Sequence, residues 1–315
     1  MKNKKMIPMS LLIPTMNRPE TLFDTLKSYF SSNCIPKQII IVDQSENARE
    51  INDNKKVIDY FNKFNNIEYY YLSIPSLTQA RNLAIEHTKY EIVIFSDDDI
   101  NIFPNTLENI DSIFKRKNIS MVAGIDINSE CSNSNIGYFF GTKSYRKRNI
   151  GHVTLSMLSR YPDNITDEIE TEWAMGYFFV VRHSILKNNK LQFDENLKSY
   201  AYAEDLDFSY RYYCISKNNG FKCILTPKVK VRHMVSKEYR IPSDKSTYMY
   251  ILHRAYLINK MKFGLKGFLA YNWTNFWRLI ERIIRHENAS CFIRAIIYYK
   301  KNKKEVFEGK FYYGE

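Results

Sequence analysis

Short runs of β-branched and aliphatic residues alternate with amphipathic segments over roughly the first 125 residues of the chain. This alternation is typical of a parallel sheet whose strands are connected by helices that cover its faces. The predicted strands are Ser10–Ile13, Gln38–Val42, Glu68–Leu72, Glu91–Phe95 and Met121–Ile125. The pattern therefore predicts an α/β domain built on a mostly parallel sheet.

Apolar residues at helical spacing lie between these strands. Proline suits the first turn of a helix, so we expect the first helix to begin at Pro19. The residues expected on one side of each of three predicted helices are Leu22, Leu26, Tyr29 and Phe30, then Ala80, Leu83, Ala84 and His87, and finally Leu107, Ile110, Ile113 and Phe114. Each set recurs at intervals of about three or four residues, which places it on one side of its helix.

The pattern weakens between Asp126 and Glu172 and then becomes regular again. The later predicted elements are a strand at 177–181, a helix at about 204–216 and strands at 223–226 and 229–233. Beyond Ser246 helical periodicity dominates. We therefore expect an α/β domain over residues 1–245 and a helical extension over residues 246–315.

The positive charge is concentrated in this extension. The chain has 46 Lys+Arg and 34 Asp+Glu, a net charge of +12. Residues 246–315 hold 13 Lys/Arg and 5 Asp/Glu, or +8, which leaves +4 for residues 1–245. A hydrophobic content of 44% excludes a disordered chain, and the lack of a run of about 18 apolar residues argues against a membrane-spanning helix.

The cysteines and the first residues favour a cytoplasmic protein. The five cysteines are odd in number and far apart, which predicts free thiols in a reducing compartment. Residues 1–14 combine a basic start with an apolar stretch, as a secretion signal does. Two prolines and the charged Arg18 and Glu20 interrupt it, so we interpret it as the first strand.

Carboxylates follow two of the predicted strands directly. In sheets of this kind, ligands bind beyond the carboxyl ends of the strands, where Asp43 and the run Asp97-Asp98-Asp99 lie. Three adjacent carboxylates at a buried strand end repel one another unless a cation such as Mg²⁺ or Mn²⁺ lies among them. The alternative is a solvated turn before the helix that follows Pro104.

Seven short motifs occur in a fixed order between Met9 and His233. They are Ile13-Pro-Thr-Met-Asn-Arg18, Val42-Asp-Gln-Ser45, Ser76-Leu-Thr-Gln-Ala-Arg-Asn82, Phe95-Ser-Asp-Asp-Asp99, Trp173-Ala-Met-Gly176, Phe193-Asp-Glu195 and Ala203-Glu-Asp-Leu-Asp207. Their order and spacing resemble those of the family 2 glycosyltransferases of the GT-A fold, a Rossmann-like, mostly parallel sheet flanked by helices. The resemblance implies transfer of a sugar from a UDP-, GDP- or dTDP-linked donor, with Mn²⁺ or Mg²⁺ as cofactor.

The resemblance also implies where the donor nucleotide binds. Pro14, Thr15 and Arg18 would line the nucleotide pocket, and Asp43 would hydrogen-bond to the base. Arg81 would lie near the base and diphosphate, a role that the fixed donor geometry of a guanidinium suits.

The acidic run corresponds to the D-x-D motif of the family. Asp97 would face the ribose or the metal, Asp99 would bind the metal, and Asp98 between them belongs to the same nucleotide-sugar site. His233 lies where many GT-A enzymes place a late histidine on the metal, although a lone histidine is as often structural.

Two further motifs are expected to meet the acceptor. Trp173 and Gly176 match the segment where acceptor and donor sugar come together, although a tryptophan is also commonly a core residue. Asp205 would be the general base with Glu204 as the alternative, and both lie in a first helical turn, where the helix dipole favours carboxylates. Charge complementarity at a helix start is the simpler interpretation of this pair.

The implied reaction inverts the anomeric centre, because a base aligned opposite a metal-assisted diphosphate leaving group directs an in-line attack. We expect a glycan or lipid-linked acceptor in bacterial capsule, lipopolysaccharide or related synthesis, at the inner face of the cytoplasmic membrane. A sugar-phosphate nucleotidylyltransferase would need a glycine-rich basic loop after the first strand, which Pro14–Arg18 is not. A nucleic-acid-binding protein fits the pI near 9.2, but no motif supports that partner.

The basic extension contains an amphipathic segment. Trp273, Phe276, Trp277, Ile280 and Ile284 can share one helix face. Arg278, Arg282 and Arg285 lie near the opposite face. This composition is typical of a helix in a membrane interface, and the lysines of residues 300–304 would add attraction to anionic lipid. A helix packed on the catalytic domain and a homodimer contact are the alternatives.

Overall fold

The computed structural model describes residues 4–128, 134–143, 149–162, 165–198, 202–234 and 242–314. The strands in these ranges are β1 (Lys5–Thr15), β2 (Cys34–Asp43), β3 (Ile67–Tyr71), β4 (Ile92–Ser96), β5 (Ile100–Ile102), β6 (Ile119–Asp126), β7 (His152–Val153), β8 (Ser159–Arg160), β9 (Ile169–Glu170), β10 (Phe178–Arg182) and β11 (Lys222–His233). The α-helices are α1 (Pro19–Ser31), α2 (Ala48–Phe61), α3 (Leu77–Glu86), α4 (Thr106–Phe114), α5 (Asn135–Phe139), α6 (His183–Asn188), α7 (Glu204–Asn218), α8 (Ser243–Lys260), α9 (Gly264–Ile284), α10 (Ala289–Lys301) and α11 (Lys303–Phe307).

One large mixed sheet forms the centre of the fold. Its strand order is β3-β2-β1-β4-β10-β6-β11-β5, and β9 pairs with β11 beside this path. The pairs β1–β2, β1–β4, β2–β3 and β6–β11 are parallel, whereas β10 lies antiparallel between β4 and β6. The expected α/β architecture is confirmed, and β3, β2, β1 and β4 form the parallel part of the sheet.

Alternate residues of the central strands pack into two hydrophobic clusters. Leu11 and Ile13 of β1 belong to one cluster, with apolar residues of α1, α2 and α4. Leu12, between them, belongs to the other cluster, with residues of α3, α7 and the C-terminal helices. This two-sided burial follows from the alternation of side chains along a strand. It explains why the central strands are continuously apolar in sequence.

Two strands near the site differ from what the sequence predicts. The strands predicted at 223–226 and 229–233 are one strand, β11, whose register against β6 shifts between Leu225 and Lys230. Pro227 lies in this irregular segment, which accommodates a residue that lacks a backbone N–H. The three-residue strand β5 was not predicted, and it directly follows the acidic run.

The C-terminal helices pack on the α/β part through polar and apolar contacts. Ile251 and Leu252 of α8 are fully buried in the cluster that also holds residues of α3 and α7. The Nζ atom of Lys260 lies 2.6 Å from Asp194 Oδ2 and 2.8 Å from Asp207 Oδ1. The described residues 246–314 therefore form a helical extension in close contact with the sheet domain. A domain boundary at residue 245 stays a prediction. Among the described residues, none of the helices combines the length and apolar character that crossing a membrane requires.

Candidate active site

The acidic run forms the turn between β4 and β5 at the carboxyl edge of the sheet. The backbone N–H of Asp97 donates to the carbonyl of Tyr177 just before β10 (2.9 Å), which fixes the start of the turn. Asp98 is fully buried and Asp99 is 6% exposed, so this is not the solvated turn that the sequence left open.

Asp98 is directed into the protein. Its Oδ2 accepts a hydrogen bond from Thr15 Oγ1 (2.6 Å), and its Oδ1 accepts one from Arg18 Nη2 (2.5 Å). Burial raises the pKa of Asp98 to about 7, although Arg18 and Thr15 act in the opposite direction. The residue therefore links the acidic turn to the end of β1 and the start of α1.

Asp97, Asp99 and His233 form a group that could hold a metal ion. One ligand atom from each residue lies within 4.8 Å of the others. The Nε2 atom of His233 is 3.2 Å from Asp99 Oδ1. Antiparallel pairing of β5 with β11 sets Ile100 opposite His233 and so brings the histidine to the acidic turn. Carboxylate oxygens with an imidazole nitrogen are a suitable donor set for a divalent cation.

Electrostatics in this group favour an additional positive charge. Burial and the neighbouring carboxylate of Asp99 raise the pKa of Asp97, and Arg81 opposes them. Burial lowers the pKa of His233, but its hydrogen bond to Asp99 and the surrounding carboxylates outweigh this and raise it. The negative potential is therefore only partly compensated by the side chains themselves.

Arg81 connects the candidate metal group to α7. Its side chain is only 2% exposed, and its Nη2 donates to Asp97 Oδ1 and to the carbonyl of Gly176, both at 2.9 Å. Its Nη1 donates to Glu204 Oε1 at 2.8 Å. The family resemblance implies a place near the base and diphosphate, and the structure places this guanidinium between the acidic turn and the first turn of α7.

Glu204 and Asp205 begin α7 after Ala203, whose backbone is left-handed (φ 67°). Asp205 accepts backbone N–H bonds from Gly176 (2.8 Å) and Leu206 (2.7 Å), one on each carboxylate oxygen. Burial raises the pKa of Asp205, and these two amides oppose it. Burial and the charge of Asp205 raise the pKa of Glu204 to about 8, with Arg81 acting against them.

Gly176 allows its segment to approach the two carboxylates closely. A Cβ atom at this position would lie 3.0 Å from Asp205 Cβ and 3.3 Å from Glu204 Oε1, so any side chain would push against the pair. Trp173 is largely buried, stacks on Tyr161 with ring centroids 4.2 Å apart and donates from Nε1 to the carbonyl of Arg160 (3.1 Å).

One cavity of about 400 Å³ is lined by residues from four of the seven motifs. The predicted site residues on its wall are Arg81, Asp97, Trp173, Gly176, Glu204, Asp205 and His233. Met157 and Tyr202 also line it and were not predicted. Tyr202 directly precedes the Ala203–Asp207 motif, which was a usable signal, whereas Met157 lies in the segment where the periodicity is weak.

The remaining predicted residues lie together on the β1 side of the acidic turn. Pro14 pairs with Val42 and Thr15 with Asp43 in the β1–β2 register. Asp43 is fully buried and accepts hydrogen bonds from the backbone N–H of Ser45 (2.9 Å) and from the hydroxyl of Tyr69 (3.0 Å). Tyr69 was not predicted, because its role depends on the pairing of β2 with β3. The acidic turn therefore lies between two groups of polar residues.

Sequence comparison identifies the class of protein that this fold and site define. Residues 10–189 match the family model described as Glycosyl transferase family 2. The match covers more than half of the chain, so the chain belongs to the family 2 glycosyltransferases and is a glycosyltransferase. No curated protein sequence matches it.

Solved structures share the fold at low sequence identity. S. aureus TarS is similar with a TM-score of 0.50 and 18% identity, over 79% of this chain and 39% of that one. GalNAc-T7 with UDP, GalNAc and Mn²⁺ gives 0.58 and 16%, over 95% and 58% of the two chains. The mannosyltransferase PcManGT from Pyrobaculum calidifontis, with GDP-Man and Mn²⁺, gives 0.54 and 12%, over 96% and 84%. The chain thus spans less than two thirds of the first two proteins, and the likeness confirms the expected GT-A fold.

Proposed function

We propose that this protein is an inverting, metal-dependent glycosyltransferase that moves a sugar from a nucleoside-diphosphate sugar to a hydroxyl group of a glycan or lipid-linked acceptor. The observation that carries this proposal is the shared cavity, in which Arg81 joins Asp97 of the acidic turn to Glu204 beside Asp205. A candidate metal group and a candidate base therefore face the same space. Family membership sets the reaction class, and this arrangement supports the division of roles.

The donor nucleotide would bind beside β1 and β2. Pro14, Thr15 and Arg18 would line its pocket, and Asp43 would hydrogen-bond to the base, as the family resemblance implies. Proteins of similar fold hold related ligands, namely UDP-GlcNAc in S. aureus TarS and GDP-Man in PcManGT. UDP-, GDP- and dTDP-linked sugars are therefore the donors to examine first.

Asp97, Asp99 and His233 would hold Mn²⁺ or Mg²⁺. When bound, such a cation neutralises charge on the diphosphate of the donor and makes it a better leaving group. Asp98 would act from the other side of the turn, by holding Thr15 and Arg18 in place through the hydrogen bonds described above. Arg81 would hold Asp97 and Glu204 at a fixed separation.

Asp205 is the proposed general base. Its side chain is more exposed than that of Glu204, and two backbone amides fix its orientation, whereas Glu204 is held by Arg81. The acceptor oxygen bonds to the anomeric carbon of the sugar while the bond from that carbon to the diphosphate breaks. Asp205 takes the proton of the acceptor hydroxyl, and the nucleoside diphosphate leaves with the bonding electrons, so the configuration is inverted.

Replacement of the proposed base tests this assignment. Asp205→Asn keeps the size of the side chain but cannot accept the proton, so transfer should fall by at least the ~100-fold that general-base catalysis contributes. Donor binding, measured by calorimetry with Mn²⁺ present, should change little. Glu204→Gln is the matched variant, and a larger loss in it than in Asp205→Asn would assign the base to Glu204. Full turnover by Asp205→Asn would remove that residue from the role.

The acceptor and the cellular setting belong to the same proposal. We expect synthesis of a bacterial surface polysaccharide, such as capsule or lipopolysaccharide, with the enzyme acting in the cytoplasm at the inner face of the membrane. The basic residues of the extension support this setting, since they suit a lipid-linked substrate. A panel of nucleotide sugars tested for binding and slow hydrolysis with Mn²⁺ would identify the donor.

A further inference from the structure

Helix α9 carries an apolar stripe that faces solvent along its whole length. We define the α9 stripe as the exposed apolar residues Leu265, Leu269, Trp273, Phe276, Ile283 and Ile284. Leu265 and Ile284, near the two ends of the helix, are 76% and 71% exposed. Spacings of three, four and seven residues keep the stripe on one side of the helix, and it extends over roughly 28 Å.

The opposite side of α9 faces the protein and combines polar and small residues with the apolar Phe268 and Leu279, which pack against the core cluster. Its buried residues are Gly267, Tyr271, Thr274 and Asn275. Asn275 Oδ1 accepts a hydrogen bond from the buried Arg254 Nη1 (2.8 Å), and Arg282 Nη2 donates to Thr247 Oγ1 (3.2 Å). A helix on the surface of a soluble domain usually has the reverse orientation, with its apolar stripe toward the core. Apart from the contact that Trp273 makes with α5, the stripe is therefore not used for packing within the described part of this chain.

Short helix α5 enlarges the exposed surface. The Nε1 atom of Trp273 donates to the carbonyl of Phe139 (2.8 Å), and the two rings are in edge contact at 5.7 Å. Phe139 and Ile136 are themselves strongly exposed. Contiguous apolar surface of this kind marks a binding site for a membrane or another protein.

The charges around the stripe favour an anionic surface as its partner. The stripe contains no charged residue. Exposed Lys262 and Lys266 lie at one end, and Arg285, which pairs with Glu281 (2.9 Å), lies at the other. In a two-fold dimer with antiparallel α9 helices, the lysines of one copy would meet Arg285 of the other, so like charges would face each other. A bilayer that contains anionic lipid accepts the apolar stripe and attracts both ends.

We propose that the α9 stripe, with Ile136 and Phe139, binds the surface of an anionic membrane. Helix α9 would lie in the interface with its aromatic residues at the level of the headgroups.

The buried side of α9 also contacts a segment that lines the cavity. The turn at 155–159 connects the two sites: Met157 and Ser159 line the cavity, while the carbonyl of Leu155 packs against α9 at Gly267. Use of a lipid-linked acceptor rests on the proposed function, whereas membrane binding itself does not depend on catalysis.

Vesicle sedimentation of the full chain tests the proposal. The wild type should bind vesicles of phosphatidylcholine that contain 30 mol% phosphatidylglycerol. It should bind vesicles of phosphatidylcholine alone at least tenfold more weakly. Leu269→Gln with Phe276→Gln should lower binding at least tenfold, because both side chains lose their burial in the interface. Ile74→Gln is the control, since Ile74 is an equally exposed apolar residue outside the stripe. Lys262→Gln with Lys266→Gln should weaken binding to the anionic vesicles only.

Equal binding by the wild type and the Leu269→Gln, Phe276→Gln protein would overturn the proposal, and so would failure of the wild type to bind the anionic vesicles. A wild-type dimer that this double variant converts to a monomer, without vesicle binding, would assign the stripe to a second copy instead. Thermal melts should show that the exposed substitutions leave folding unchanged. Asp99→Asn should retain vesicle binding even though transfer is lost, so failure of the catalytic proposal and of the membrane proposal can be distinguished.

Discussion

At the scale of single residues, three consecutive aspartates have three different surroundings. Asp98 is buried against Thr15 and Arg18, while Asp97 accepts from Arg81 and Asp99 lies beside His233. The residue types predicted a metal group at this place. The turn that connects β4 to β5 decides the direction of each carboxylate. These directions could therefore not be predicted from the sequence.

His233 should contribute to metal affinity. His233→Gln removes one of the three clustered ligand atoms. Loss of a residue that only hydrogen-bonds to a metal ligand already weakens metal binding ~10-fold, so the Kd for Mn²⁺ should rise by at least that factor. Calorimetric titration with Mn²⁺ measures this change directly. An unchanged Kd would leave the histidine with a structural role only. His286→Gln, at an exposed histidine in the C-terminal region, is the control.

Gly176 should be sensitive to the smallest substitution. In Gly176→Ala the added Cβ would press on Asp205 Cβ at 3.0 Å and on Glu204 at 3.3 Å, so the proposed base would shift. Because a misplacement of about 1 Å can cost ~100-fold, we expect kcat to fall by one to two orders of magnitude. Steady-state kinetics with thermal melts would check this result. Wild-type kcat in the variant would show that the contact relaxes harmlessly.

At the scale of elements, the C-terminal helices hold the segment before α7. His253 of α8 is fully buried, and its Nδ1 donates to the carbonyl of Tyr202 (2.8 Å) while its Nε2 accepts from the hydroxyl of Tyr313 (2.9 Å). These partners fix the neutral tautomer, because a carbonyl can only accept. The motif that begins at Ala203 therefore rests on a helix from the far end of the chain.

This contact predicts that acidification destabilises the protein. Burial lowers the pKa of His253 to about 4, against the opposing effect of its bond to Tyr202. Between the ordinary histidine pKa of about 6.5 and this value, the unfolded chain binds a proton that the folded protein does not. The free energy of unfolding should therefore fall by about 3 kcal/mol from pH 7 to pH 4 through this residue. Urea titrations across that range, compared with His253→Asn, would isolate its contribution, and identical pH profiles would contradict it.

At the scale of the whole molecule, one lysine joins the helical extension to two motif carboxylates. Lys260 pairs with Asp194, in the Phe193–Glu195 motif, and with Asp207, at the end of the Ala203–Asp207 motif. Burial tends to raise the pKa of Asp194, but hydrogen bonds from Lys260 and Tyr256 outweigh it and lower the pKa. Asp194 and Asp207 therefore connect the sheet domain to helix α8 of the extension.

Removal of this lysine should weaken the whole fold. Lys260→Met leaves the largely buried carboxylate of Asp194 without its cation, while Asp207 keeps its ion pair with Arg211 (2.5 Å). The free energy of unfolding should therefore fall by about 3 kcal/mol. Lys262→Met is the matched control, because Lys262 is exposed two residues further along the chain. Equal urea midpoints for the two variants would show that the extension does not depend on this ion pair.

The sequence by itself determined the class of fold, most of the sheet, the motifs and the family resemblance. Alternation of side chains, helical spacing and the residues at strand ends are local properties, so they can be read without a structure. The excess charge of residues 246–315 was equally plain, and the structure places Lys262 and Lys266 from it at one end of the α9 stripe.

The tertiary structure decided which distant residues meet. The pairing of β5 with β11 carries His233 to Asp99, 134 positions earlier in the chain. The packing of α9 turns the side with Tyr271, Thr274 and Asn275 inward and its apolar stripe outward, although either orientation has the same hydrophobic period. Pairing and orientation depend on the free energy of the whole assembled core, and no local segment of the sequence contains that information.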